Sequence, residues 1–210
     1  GGPEVLRYVE KPRPEPGRGE VLIEADAIGV NYIDTYFRSG LYPRELPFVV
    51  GTGVCGTVTA AGEDAAAIKA GDRVVTANAA GAYADLCTAP ADFVAYVPDA
   101  VPSDAIASAL LKGMTAHYLI KSVYQVQPQD WLLVHAGAGG VGLILTQWAT
   151  SIGARVITTA STGQKAELSR QAGAMEVLDY PDDPAEFAGR VRALTDGHGV
   201  AAVYDGVGAS

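Results

Sequence analysis

The sequence predicts an α/β protein in which a small barrel-like β domain precedes a doubly wound parallel sheet. Three observations predict it. Residues 1 to about 100 hold short β-branched runs broken by Gly and Pro, with little helical spacing. From Trp131 onward, apolar strand-like runs alternate with helical ones. Between the first such strand and its helix stands Gly137-Ala138-Gly139-Gly140-Val141-Gly142, which fits G-x-G-x-x-G.

Taken in order, Val5, Leu6 and Tyr8 suggest one short strand, and 11–19 is a loop rich in Pro, Gly and charge. Glu20 to Val30 reads as strand and Asn31 to Ser39 as a short helix, with Ile33 and Phe37 on one side. Leu41 to Pro47 is a loop. Phe48 to Ala60 is a strand with bends, because glycines punctuate a β-branched run. Arg73 to Thr76, Gly81 to Pro90 and Phe93 to Val97 are further strands. Pro102-Ser103-Asp104 signals a helix start; Ala105 to Leu111 is helical, and Met114 to Tyr124 resumes the helix after Gly113. Then come strand Trp131–Val134, a helix through Trp148 stopped by Gly153, strand Ala154–Thr159 and helix Gln164–Gln171. Strand Met175–Leu178, helix Pro184–Leu194 and strand Val200–Tyr204 complete the series. Four parallel strands followed directly by Ser210 suggest a piece of a longer protein; the alternative is a minimal four-strand sheet.

Composition removes several function classes. Of 210 residues, 49% are hydrophobic and 19% charged, the profile of a core-forming chain and not of a disordered one. A net charge of −9 disfavours nucleic-acid and anionic-membrane surfaces. No apolar run approaches membrane-spanning length and no signal peptide is visible. Cys55 and Cys87 are the only cysteines, too few for a four-cysteine zinc site, and read as reduced core thiols of a cytoplasmic protein.

The glycine motif directly after a strand, at a helix start, is the dinucleotide fingerprint: its backbone approaches a pyrophosphate and the helix N–H groups meet the charge. The alternative is a tight turn that binds nothing. Where an NAD site places an acid after the second strand, this chain has Ser161-Thr162-Gly163-Gln164-Lys165 instead. Hydroxyls and an ammonium suit a 2′-phosphate, which a carboxylate would repel, so the site favours NADP over NAD. The bland reading of Lys165 is a solvated helix lysine. His117, His135 and His198 pair with no His or Cys at ligand spacing. His135 reads as packing or bonding to backbone, and His198 as part of a surface turn. No Gly-x-Ser-x-Gly elbow occurs.

These residues resemble the medium-chain dehydrogenase/reductase superfamily, closest to its zinc-free, zeta-crystallin-like quinone oxidoreductase branch. The matching stretches are GVNYIDTYFRSGLYP (Gly29–Pro43), GDRVV (Gly71–Val75), GAYAD (Gly81–Asp85), LLKGMTAHYL (Leu110–Leu119), VHAGAGGVG (Val134–Gly142) and VYDGVG (Val203–Gly208). The resemblance implies a GroES-like β-barrel domain at 1–112 and a Rossmann NADP-binding domain at 113–210, incomplete at its C-terminus. The family's first strand and final third, which completes the Rossmann sheet and forms a dimer edge, are absent. Zinc-dependent relatives have a Cys where Asn31 stands and Gly-His-Glu where Gly51-Thr52-Gly53 stands. Many zinc-free relatives keep that Glu, so Gly53 is a departure.

By the same resemblance, Asn31, Tyr36 and Tyr42 face nicotinamide and substrate, with Asn31 and Tyr42 as catalytic donors. Thr115 and Tyr118 approach the cofactor. Gly139, Gly140 and Val141 hold the pyrophosphate, Ser161 and Lys165 bind the 2′-phosphate, and Tyr180 lies near the adenosine. Gly206 stands where some relatives have Ser. The tyrosines have a simpler reading as aromatic packing in a loop. The expected function is metal-independent hydride transfer from NADPH to a quinone by a cytoplasmic homodimer. Reduction of an enone or enoyl double bond is the alternative; a non-catalytic NADPH-binding structural or RNA-binding protein is the alternative of another class.

Overall fold

In the computed structural model, which describes residues 1–65, 67–180 and 183–208, the chain divides into two units, Gly1–Leu111 and Lys112–Ser210. The first is organised on strand β1, Glu20–Gly29. β1 pairs antiparallel with β2 (Gly53–Ala61) on one side and β4 (Leu86–Pro90) on the other. β3 (Arg73–Thr76) and β5 (Ala95–Tyr96) extend the sheet beyond β2, giving the order β4-β1-β2-β3-β5. Val21, Leu22 and Ile23 are all buried, so this half of β1 is covered on both faces. Val54, Val58, Val74 and Cys87 pack with Val21 and Ile23 into one core. Two register shifts, between Leu22 and Ile23 and between Ala25 and Ala27, bend the ladder. At Gly56 the backbones come so close that a Cβ would lie 2.0 Å from the Glu24 carbonyl oxygen. Burial pushes the Cys87 thiol up to about 11, which keeps it an inert core group.

Three expectations need correction here. Val5, Leu6 and Tyr8 form no strand: Pro3–Val5 make one 3-10 turn, and the apolar side chains are exposed. The apolar residues find no ladder, since no described strand pairs with them. The strand expected from Phe48 starts only at Gly53. Before it the chain turns at Gly51 (φ 94°), whose open side faces the Tyr83 ring, and the Val50 and Gly51 carbonyls accept bonds from Tyr83 and Ala82. Those bonds also keep the residues before Leu86 out of β4.

Helix α1, Ile33–Ser39, ends at left-handed Gly40. Helix α2, Ser103–His117, runs unbroken through Gly113, where two segments were expected. Its start is anchored by Arg73, whose guanidinium donates to the Pro98 and Val101 carbonyls and to Ser103 Oγ. The chain then loosens into a π-helical turn over Tyr118–Val123.

The second unit alternates strictly: β6 (Trp131–Val134), α3 (Gly140–Ile152), β7 (Arg155–Thr159), α4 (Gly163–Gln171), β8 (Glu176–Leu178), α5 (Pro184–Leu194) and β9 (Ala202–Tyr204). All pairings are parallel, in the order β8-β7-β6-β9. Leu132, Val134 and Val156 pack with Ala116, Ile120, Leu145 and Ala149 on one face. Leu133, Ile157 and Leu178 pack with Phe187 and Val191 on the other. Helices on both faces explain why the strands read as continuous apolar runs. The strand order reverses direction at β6, between β7 and β9, and the glycine turn leaves the carboxyl end of β6. That switch point is where doubly wound sheets open a ligand crevice.

The two kinds of glycine predict opposite outcomes. Gly56→Ala should destabilise by roughly 2–4 kcal/mol, since backbone must move to admit the methyl. Gly113→Ala meets nothing within 4 Å and should stabilise by about 0.5–1 kcal/mol. Denaturant unfolding of both variants measures the difference.

Candidate functional site

The site grows from the turn between β6 and α3. His135 still belongs to the sheet, its N–H donating to the Tyr204 carbonyl at 3.0 Å. Ala136 then adopts φ 52°, a left-handed conformation uncommon for a residue with a side chain. Its N–H donates to Thr159 Oγ1 at 3.1 Å, and the next N–H, of Gly137, donates to the Thr159 carbonyl at 2.9 Å. The end of β7 thus holds the entry to the turn at two successive residues.

The glycines follow from this proximity. A Cβ on Gly137 would sit 2.5 Å from Thr158 Cβ and 2.6 Å from Ser169 Oγ. Those neighbours cannot yield: Thr158 and Ser169 are fully buried and their hydroxyls are hydrogen-bonded at 2.7 Å. A Cβ on Gly142 would lie 2.4 Å from the Ala136 carbonyl oxygen. Gly139 precedes α3 and offers no side-chain cap, and the first turn carries no acid. The N–H groups of Gly140 and Val141 have no acceptor within the helix, and they carry its partial positive charge.

Beside the turn lies a cavity of about 120 Å³, lined by Ala136, Ala138, Gly139, Thr159, Ala160, Ser161, Lys165 and Tyr180. The structure therefore brings Gly139, Ser161, Lys165 and Tyr180 around one space, with Gly140 and Val141 next along the chain. Thr162 caps α4 by accepting the Lys165 N–H, and the Lys165 side chain reaches back to Ser161, its Nζ donating to Ser161 Oγ at 3.2 Å. Both side chains are exposed. Tyr180 stacks on the His135 ring at 6.4 Å between centroids, and Phe187 covers it at 5.9 Å. His135 packs, as expected, but its polar partner is the Thr159 hydroxyl at 3.2 Å, not backbone. Thr159 as the hub of this turn was missed; the only signal was a hydroxyl at the end of an otherwise apolar strand.

The other expected residues lie outside this cavity. Gly206 follows β9 in a turn closed by Asp205, whose carboxylate accepts the Val207 and Gly208 N–H groups. Those two bonds, with His135 a smaller influence, hold the Asp205 carboxyl below its usual range. Thr115 is half-buried in α2, and Tyr118 is exposed where the π turn begins. In the first unit Asn31 is buried, its amide donating to the Gly29 carbonyl at 3.1 Å. Its N–H donates to Asp34 Oδ2 at 3.0 Å, and the Tyr83 hydroxyl donates to the same oxygen at 3.0 Å. A Cβ on Gly53 would come within 3.2 Å of Asn31 Nδ2. Tyr36 and Tyr42 pack edge to face at 5.4 Å, with Tyr32 against Tyr36 and Phe37 against Tyr42. Among the described residues no three His, Cys, Asp or Glu side chains form a metal-ligating group.

Comparison with known proteins bears on this geometry. The alcohol dehydrogenase GroES-like domain family matches residues 17–99, and the zinc-binding dehydrogenase family matches residues 140–210. Quinone oxidoreductase 1 of Escherichia coli K12 is 45% identical over 210 residues, 99% of this chain and 64% of that protein. The chain thus carries the two domains of alcohol dehydrogenase-like proteins and is similar to quinone oxidoreductases among them. The solved structure of a mycobacterial protein complexed with NADPH matches with a TM-score of 0.97 at 69% identity, over 100% of this chain and 65% of that one. A Burkholderia 2-haloacrylate reductase is 40% identical over 215 residues, 99% of this chain and 62% of that protein. The chain thus spans under two thirds of these relatives' lengths. The two family matches fall one on each unit, the second starting at the first residue of α3.

The Asp34–Tyr83 pair generates a pH prediction. Burial first, then the hydrogen bond to Asp34 and its charge, push the Tyr83 phenol from 10 up to about 12. The neutral phenol is the form the fold favours. Its stabilisation is complete below pH 10 and should be lost as pH rises from 10 toward about 12. Tyr83→Phe should flatten that alkaline limb of the stability–pH curve, measured by denaturant unfolding at stepped pH.

Proposed function

We propose that the protein carrying this chain is an NADPH-dependent quinone reductase that transfers hydride without a metal ion. One observation carries the reading: the cavity beside the glycine turn is lined at its outer end by the Ser161 hydroxyl and the Lys165 ammonium, bonded at 3.2 Å. Among the described residues no carboxylate lines it. A 2′-phosphate adds about two negative charges, which this end would stabilise and an acid would repel. Kinship with a quinone oxidoreductase and likeness to a protein complexed with NADPH support the same cofactor and a quinone substrate.

The chain's residues fit the dinucleotide. Gly139, Gly140 and Val141 offer main-chain N–H groups to the diphosphate at the positive end of α3. Ser161 and Lys165 bind the 2′-phosphate, and Tyr180, braced by His135, flanks the adenosine. Tyr36, Thr115 and Tyr118 orient the nicotinamide end, and Gly206 leaves open space after β9. When bound, the nicotinamide supplies a hydride. Asn31 and Tyr42 donate hydrogen bonds to the quinone oxygen as negative charge develops there, and solvent supplies the protons. A quinone is electrophilic enough to need positioning rather than a Lewis acid. Asn31 and Gly51-Thr52-Gly53 supply no thiolate, imidazole or carboxylate where zinc-dependent relatives hold theirs. Two buried, unpaired cysteines support a reducing, cytoplasmic setting, and the family resemblance supports a homodimer.

Kinship with a 2-haloacrylate reductase favours a second reading, reduction of an activated C=C bond. That reaction delivers a proton to carbon, and Tyr42 is the candidate donor. In the full-length protein, Tyr42→Phe should then lower kcat on an enone at least about tenfold more than on a quinone. Equal loss on both substrates would remove Tyr42 from the proton path.

For the cofactor, Ser161→Ala with Lys165→Ala should raise KM for NADPH by about tenfold or more and leave KM for NADH unchanged. An unaltered NADPH-over-NADH preference would contradict the 2′-phosphate assignment.

A further inference from the structure

Lys112, at the start of the second unit, runs its side chain across Gly140: a Cβ built on Gly140 would meet Lys112 Cδ and Cε, each at 2.6 Å. The ammonium lies one bond beyond Cε, so it stands within a few ångströms of the first turn of α3. That end is already positive. Gly139 provides no side-chain cap and the first turn holds no acid, whereas α4 and α5 are capped by Thr162 and Asp183. A cation at the positive end of a helix is opposed by the helix dipole. An anion held between the two turns that repulsion into attraction toward both.

We propose that Lys112 is a binding residue for the diphosphate of the dinucleotide, its ammonium gripping the same anion that the α3 amides receive. The inference rests on the dinucleotide-binding reading above and adds a side-chain cation to a main-chain grip. Lys112 acts on the group that NADPH and NADH share, whereas Ser161 and Lys165 act on the 2′-phosphate. The two sets of residues are therefore separable by choice of ligand.

The test uses Lys112→Met in the full-length protein, since methionine keeps the stem over Gly140 and removes the charge. Fluorescence titration should show the Kd for NADPH and for NADH rising together by about tenfold, with their ratio unchanged. The salt dependence of NADPH binding should become shallower. Adenosine 2′-monophosphate, which has no diphosphate, should bind as it does to the unaltered protein, and Lys112→Arg should restore most of the dinucleotide affinity. Unchanged NADPH affinity in Lys112→Met would overturn the proposal. So would parallel loss of adenosine 2′-monophosphate, which would assign Lys112 to the fold rather than to the diphosphate. An unaltered protein that binds neither dinucleotide would instead remove the reading on which the proposal rests.

Discussion

The second unit depends on one close approach, that of Gly137 to the end of β7. With no side chain at Gly137, the turn can lie against Thr158 and the buried Thr158–Ser169 hydroxyl pair. The Thr159 main chain and hydroxyl then hold Gly137 and Ala136. Ala136 takes a left-handed conformation, and α3 starts with its first N–H groups turned outward. A methyl at Gly137 would push the turn off β7 and release all of these at once. The cavity is a by-product of the same contact: Thr159, Ala160 and Ser161 form one wall because β7 runs on past the turn it supports.

Much of this was legible in the sequence because local signals and tertiary demands agreed. Gly153 stops α3 in the left-handed conformation its position suggested. Pro184 to Leu194 is helical over the expected residues, with Asp183 capping it and Pro in its first turn. The chain order of strands and helices after Trp131 left few topologies, and the observed β8-β7-β6-β9 order is the doubly wound one. The missing acid after the second strand pointed to the stretch from Ser161 to Lys165, the resemblance to the family added Tyr180, and all three residues line the cavity.

What was not legible depended on partners distant in sequence. Val5, Leu6 and Tyr8 suggest a strand by their apolar character, but a strand exists only beside another. The Phe48–Thr52 stretch is β-branched and still turns, because its carbonyls bond to Ala82 and Tyr83 about thirty residues later. Gly113 suggested a break that the helix simply absorbs at modest cost. The roles of Thr159 and Lys112 needed distances. Nothing about a threonine at a strand end, or a lysine in a helix, announces that one braces a glycine turn and the other crosses it.

Charge at the cavity follows from the same frame. The turn contributes partial positive charge through amides, and the start of α4 contributes a full one through Lys165, bonded to Ser161. One end suits any dinucleotide, and the other adds a contact that a phosphate on the adenosine ribose would strengthen. The most direct measurement is the pair of dissociation constants for NADPH and NADH on the unaltered full-length protein at one salt concentration. The account predicts that NADPH binds at least about tenfold more tightly, as one charge-assisted contact would give. Equal affinities, or tighter binding of NADH, would contradict it.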